Sequence, residues 1–193
     1  MRLSKIDEEN QRQLTRQREF RAAADVIVSA FVAFSEVAAI AASGSVAVPL
    51  WKEVPRFREF RREGIEVWHE CGDLDLVVWL DSLDRLGEMR RTRELALRAA
   101  FEAGTGPSIT GHQADVFLLE PTSDRYLGRL CSYNECPKGK RDCLVPGCGA
   151  IAFNKVVAGF VPRADLLAAA RQSKLYERKT GILKSALDLP GPQ

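Results

Sequence analysis

The stretch Asp73-Leu74-Asp75-Leu76-Val77-Val78-Trp79-Leu80 decides how the rest of the chain is read. After its first residues it is β-branched and aromatic, the composition of a strand. Side chains alternate along a strand, so Asp73 and Asp75 share one face while Leu74 and Leu76 take the other. Two carboxylates set side by side repel each other when ionised. A fold keeps such a pair mainly when a cation sits between them. Magnesium suits that position, since it takes oxygen ligands and retains places for water or phosphate. The plainer alternative is a solvated Asp-x-Asp turn at a strand start.

Working downstream, Asp81 or Ser82 can cap a helix in which Leu83, Leu86, Met89, Leu97 and Phe101 recur at helical spacing. Gly104 ends it, and Thr105 to Gly111 is a loop. Ala114 to Leu119 forms a second strand, stopped by Pro121. Within it Asp115 is followed only by apolar residues, and one carboxylate in such a run is costly to bury alone. If this strand lies beside the first, Asp115 completes a three-carboxylate site. Three carboxylates can hold two metals, which clamp the attacking and leaving oxygens of an in-line phosphoryl displacement.

Upstream, Ile6 to Phe34 reads as a helix, charged in its first half and apolar in its second. Val37 to Ala42 reads as a strand, stopped by the turn Ser43-Gly44-Ser45. Pro49 to Glu70 reads as irregular, with Pro55 excluding a continuous helix. Arg163 to Arg178 is expected to be a last helix, with Leu166, Leu167, Ala170 and Leu175 on one side. The end, through Pro190, Gly191 and Pro192, is expected to be disordered. The order of elements predicts an α+β fold, one small mixed sheet with flanking helices. No internal repeat is visible.

Between Cys131 and Cys148 the chain changes character. Cys131, Cys136, Cys143 and Cys148 are spaced C-x4-C-x6-C-x4-C, with Pro137, Gly139, Pro146, Gly147 and Gly149 interleaved. Four soft ligands on short loops can form a tetrahedral, structural zinc site. An iron–sulfur cluster or four unligated thiols are the alternatives. Lys138, Lys140 and Arg141 stand at the tip of this loop-rich knuckle. Cys71 stands apart from it and reads as buried packing.

Other candidates are basic or aromatic. Lys52, Arg56, Arg58, Arg61 and Arg62 crowd the segment before the aspartate pair, and a triphosphate needs cationic partners. Lys52 and Arg56 are the nucleotide-binding candidates among them; a solvated helical face is the alternative. Trp51, Phe57, Phe60 and Trp68 read first as packing. His69 and His112 each precede a carboxylate strand, and His112 is the one expected to help orient substrate.

Composition narrows the classes. Apolar residues make up 46% and charged residues 28% of 193 residues, and the formal net charge is +2. This is a globular composition, and bulk charge gives no argument for nucleic-acid binding. Asp25, Glu36 and two serines interrupt the most apolar stretch, so no membrane span is expected. The charged N-terminus lacks the apolar core of a secretory signal, and a cytoplasmic, reducing location is the expectation.

Taken together, Gly44-Ser45 after a first strand, Asp73-Leu74-Asp75-Leu76, and Asp115 on a later strand resemble the catalytic core of the DNA polymerase beta-like nucleotidyltransferases. The resemblance covers residues 37–119. Apolar runs that follow the pair, rather than precede it, set it apart from haloacid dehalogenase-like phosphatases and metal-dependent glycosyltransferases. In the family the pair usually comes shortly after Gly-Ser, so residues 46–72 imply an insertion. The resemblance implies that Gly44 and Ser45 touch a triphosphate and that Asp73 and Asp75 bind both of two magnesium ions. It implies that Asp115 binds the metal nearer the acceptor and helps activate the acceptor hydroxyl.

The expected organisation is a nucleotidyltransferase-like catalytic domain over residues 1–125, a zinc segment over 126–162, and a C-terminal helix and tail over 163–193. The expected activity moves a nucleoside monophosphate from a triphosphate such as ATP to a small molecule, an RNA end or a protein side chain. The rival expectation is a non-catalytic module of the same fold that recognises nucleic acid or a protein partner through the zinc knuckle.

Overall fold

In the computed structural model, residues 3–130 and 168–192 are described. The first element is α1, Leu3–Phe31. Its second half buries Phe20, Ala23, Ala24, Ile27, Val28 and Phe31, as the apolar sequence there requires. Its first half is less solvated than its charge suggests. Asn10, Gln13, Gln17 and Arg21 recur every three or four residues and so line one face. Gln13, Gln17 and Arg21 are buried. Gln13 accepts from the Cys71 amide at 3.2 Å, and Gln17 donates to the carbonyls of Ser45 and Val48 at 2.6 and 2.8 Å.

The chain then forms β1, Val37–Ser43, and the short helix α2, Gly44–Ala47. The segment expected to be irregular carries a small ribbon. In it β2, Lys52–Glu53, pairs antiparallel with β3, Val67–Trp68, around the short helix α3, Arg58–Glu63. The ribbon is tied to α1 through Asn10, whose side-chain oxygen accepts from the Trp68 amide at 2.9 Å and from Lys52 Nζ at 2.8 Å.

Next come β4, Leu74–Leu80, α4, Leu86–Glu102, β5, Ala114–Leu119, and β6, Tyr126–Arg129. Residues 126–129, assigned from sequence to the cysteine segment, therefore belong to the sheet. Beyond the undescribed stretch, β7, Gln172–Glu177, and β8, Gly181–Ile182, complete a six-stranded mixed sheet of order β6-β5-β4-β1-β7-β8. Among the described strands only β4 and β5 are parallel, joined by α4 as the crossover; the other neighbours in this sheet are antiparallel. This is an α+β fold. Leu74, Leu76, Val78 and Leu80 pack with α1 and α4 residues in one core on one face of the sheet.

Several expectations are corrected. Residues 172–177 are a strand, not the end of a helix. The backbone of β1 offers them an edge to pair with, and Leu175 and Tyr176 are buried there. The upstream part of the expected helix, through residue 167, lies outside the described residues. So do Cys131, Cys136, Cys143 and Cys148. The tail is ordered rather than disordered: Ala186 and Leu189 are buried, and the Asp25 carboxylate accepts from the Ala186 amide at 2.7 Å. Arg21 donates to the Leu189 carbonyl at 2.6 Å and the Pro190 carbonyl at 2.9 Å. Phe101 points to solvent. The buried stripe of α4 is instead Leu86, Met89, Arg93 and Leu97. Among the described residues no helix is long and apolar enough to cross a membrane.

Candidate metal centre

Register places the carboxylates. Along the parallel pair, Leu74 faces Ala114 and Asp75 faces Asp115. Neighbouring strands lie about 4.8 Å apart, so the two aspartates stand side by side. Asp73, two residues earlier, lies on the same side by alternation. Asp73, Asp75 and Asp115 each offer an oxygen within 4.8 Å of the others, and the group can hold a metal ion. An all-carboxylate set is the chemistry of a hard cation, not of zinc.

Across β1 the register pairs Ser43 with Asp75. Gly44 therefore leaves the sheet directly beside the Asp75 carboxylate. Its φ of +66° is a left-handed conformation that favours glycine. A Cβ on it would come within 2.9 Å of an Asp75 carboxylate oxygen. Strand pairing, not distance along the chain, sets this contact. The residues between Ser45 and Asp73 leave from and return to the same end of the sheet, so the length of this segment leaves the Gly44–Asp75 approach intact.

The electrostatics are unfavourable to three anions. Burial, then Asp73 and Asp115, push the Asp75 carboxyl up to about 8, against the opposing pull of Arg129. Burial also raises Asp73, opposed by Arg129 and Arg16, and raises Asp115, opposed by Arg129. Arg129 is the functional-looking residue that sequence reasoning missed. It donates to the Asp115 carboxylate. It sits on β6 opposite Phe117, two residues along β5 from Asp115. Nothing in its local sequence marks it; a prediction that β6 pairs with β5 would have been the only signal.

The other candidates are placed less centrally. The Ser45 hydroxyl donates to Cys71 Sγ at 3.3 Å, and burial pushes that thiol up to about 11. Lys52 Nζ lies 4.1 Å from the centroid of the Trp68 ring and bonds Asn10. Arg56 is exposed. Among the described residues neither Lys52 nor Arg56 touches the three aspartates. His69 stacks on Trp51 at 3.8 Å and bonds Glu53 at 2.9 Å, and His112 bonds the Thr110 hydroxyl. His69 is thus engaged by residues in and beside β2, and His112 by a neighbour on its own loop.

No protein-family model matches the chain, and no curated protein and no solved structure matches it.

Proposed function

We propose that the protein is a metal-dependent nucleotidyltransferase that transfers a nucleoside monophosphate from a triphosphate to an acceptor hydroxyl or phosphate. The observation that carries this reading is the convergence of Asp73, Asp75 and Asp115 beside a glycine turn that the carboxylate itself nearly touches. Two magnesium ions at this site would neutralise phosphate charge and align the attacking and leaving oxygens. An acceptor oxygen forms a bond to the α-phosphorus as the bond to pyrophosphate breaks.

The chain's own residues have separable tasks. Asp73 and Asp75 supply oxygen ligands from one strand. Asp115, from the neighbouring strand, supplies another and lies where an acceptor proton can be taken. Gly44 lets backbone approach a phosphate closely, since no side chain stands between it and Asp75. Most of the rate enhancement comes from positioning and charge compensation rather than covalent chemistry. ATP is the first triphosphate to test.

Calorimetric titration of ATP, with and without magnesium, tests the reading on wild type and on Asp73→Asn/Asp75→Asn. Binding that needs magnesium and vanishes in the double variant is the expected result. Absence of binding by any nucleoside triphosphate under magnesium or manganese sinks it.

A further inference from the structure

The three aspartates do not stand alone; Arg129 lies against them and donates to Asp115. Its guanidinium opposes the burial-driven rise of all three carboxyls. The backbone on either side of this ion pair is held firmly. Arg93, fully buried, donates to the Ala114 carbonyl at 3.0 Å and the Leu130 carbonyl at 3.1 Å. Those carbonyls belong to the residues next to Asp115 and next to Arg129. With the backbone so held, a rearrangement at the pair falls to the side chains; the Arg129 guanidinium carbon lies 6.0 Å from the Phe117 ring centroid.

On the metal-site reading above, we propose that Arg129 is a resident counter-cation of the cluster. It holds Asp115 in the metal-free protein and yields it to a divalent ion that arrives with a triphosphate, to which the guanidinium then turns. A divalent ion entering by itself would have to sit beside a fixed positive charge on the same carboxylate, which Coulomb repulsion disfavours. An ion entering with a polyanion brings the guanidinium a better acceptor, since its planar fork matches phosphate oxygens. Arg129 is a triphosphate-binding residue in this scheme. It makes metal and nucleotide binding cooperative, so that neither occupies the site well without the other.

The test is calorimetry on the full chain with two probes: magnesium chloride alone, and a non-hydrolysable ATP analogue in saturating magnesium. Arg129→Met is expected to bind magnesium alone about tenfold more tightly, and the analogue about tenfold more weakly, than wild type. Arg129→Lys, which keeps the charge, is expected to restore the wild-type response to magnesium alone. Thermal melts in chelator identify a variant that fails to fold, and for these Arg129→Gln is substituted. Two affinities that fall together indicate a merely structural role and overturn the proposal. Magnesium binding that Asp75→Asn abolishes but Arg129→Met leaves unchanged overturns it while sparing the metal site. Failure of every protein to bind magnesium, with or without the analogue, overturns both.

Discussion

The two sides of β5 bury charge in opposite ways. Behind it, Arg93 is wholly buried yet meets two backbone carbonyls and the Glu94 carboxylate, the last at 2.9 Å. Fixed dipoles and one counter-charge compensate it. In front, Asp115 stands beside two further carboxylates, and all three are driven toward their neutral forms. The first arrangement has its charge balanced by the protein's own groups. The second is under electrostatic stress that a divalent cation would relieve. Arg93 is bonded to the fold, whereas the three half-buried carboxylates share the ion pair of Arg129 with Asp115, the perturbed arrangement typical of a functional site.

Substitutions on the two sides should therefore differ in sign. Arg93→Met leaves the Ala114 and Leu130 carbonyls and Glu94 without their cation. Urea unfolding should show a loss of about 3–5 kcal/mol, equal with and without magnesium. Asp75→Asn should do the reverse, raising the unfolding midpoint of the metal-free protein at pH 8 while removing any stabilisation by magnesium. If Asp75→Asn destabilises the metal-free protein, the contrast collapses.

Acidity sharpens the same point. Asp75 titrates at about 8 when folded, against about 3.9 for an unfolded aspartate. Between those values the folded chain binds more protons than the unfolded one. Stability of the metal-free protein should fall as pH rises through this window, and recover on acidification. Protons and magnesium compete for the same carboxylate. Magnesium affinity should thus weaken below pH 8, by up to about tenfold per unit, as titration calorimetry at stepped pH would show. A flat profile between pH 6 and 8 counts against Asp75 as a ligand. The smallest effect belongs to Gly44→Ala. Its left-handed φ costs a side-chain-bearing residue about 1–2 kcal/mol, and the new methyl must displace Asp75. Magnesium affinity should drop with only this modest loss of stability.

What the sequence made legible was local. The residues of β4 and β5 declare themselves through β-branched and aromatic runs, and Asp73, Asp75 and Asp115 stand out against them. Pairing between strands is not local. That β6 exists beside β5, and so brings Arg129 to Asp115, depends on a four-residue strand with no periodic signature. Residues 172–177 illustrate the opposite error. Their spacing with the alanine-rich stretch before them suits a helix, but pairing with β1 overrides that preference. In α4 the missing member of the helical stripe was Arg93, since a charged residue at a core position gives no hydrophobic signal. The order of the tail escaped notice because Asp25 and Arg21 capture it from far away in the chain.

That capture has a consequence for how the protein is made. Arg21 bonds the Val46 carbonyl at 3.0 Å and the Leu189 carbonyl at 2.6 Å, the latter 168 residues away. During synthesis, α1 emerges well before residue 189, with its guanidinium only partly met. At about 5–20 residues per second, roughly ten to thirty seconds pass before the residues that complete its partners are polymerised. Until then the helix is held by its apolar contacts and by the bonds of Asn10, Gln13 and Gln17 to residues 45–71. Completing Arg21 therefore means closing a loop of 168 residues, a contact whose entropic cost must be met before it stabilises anything.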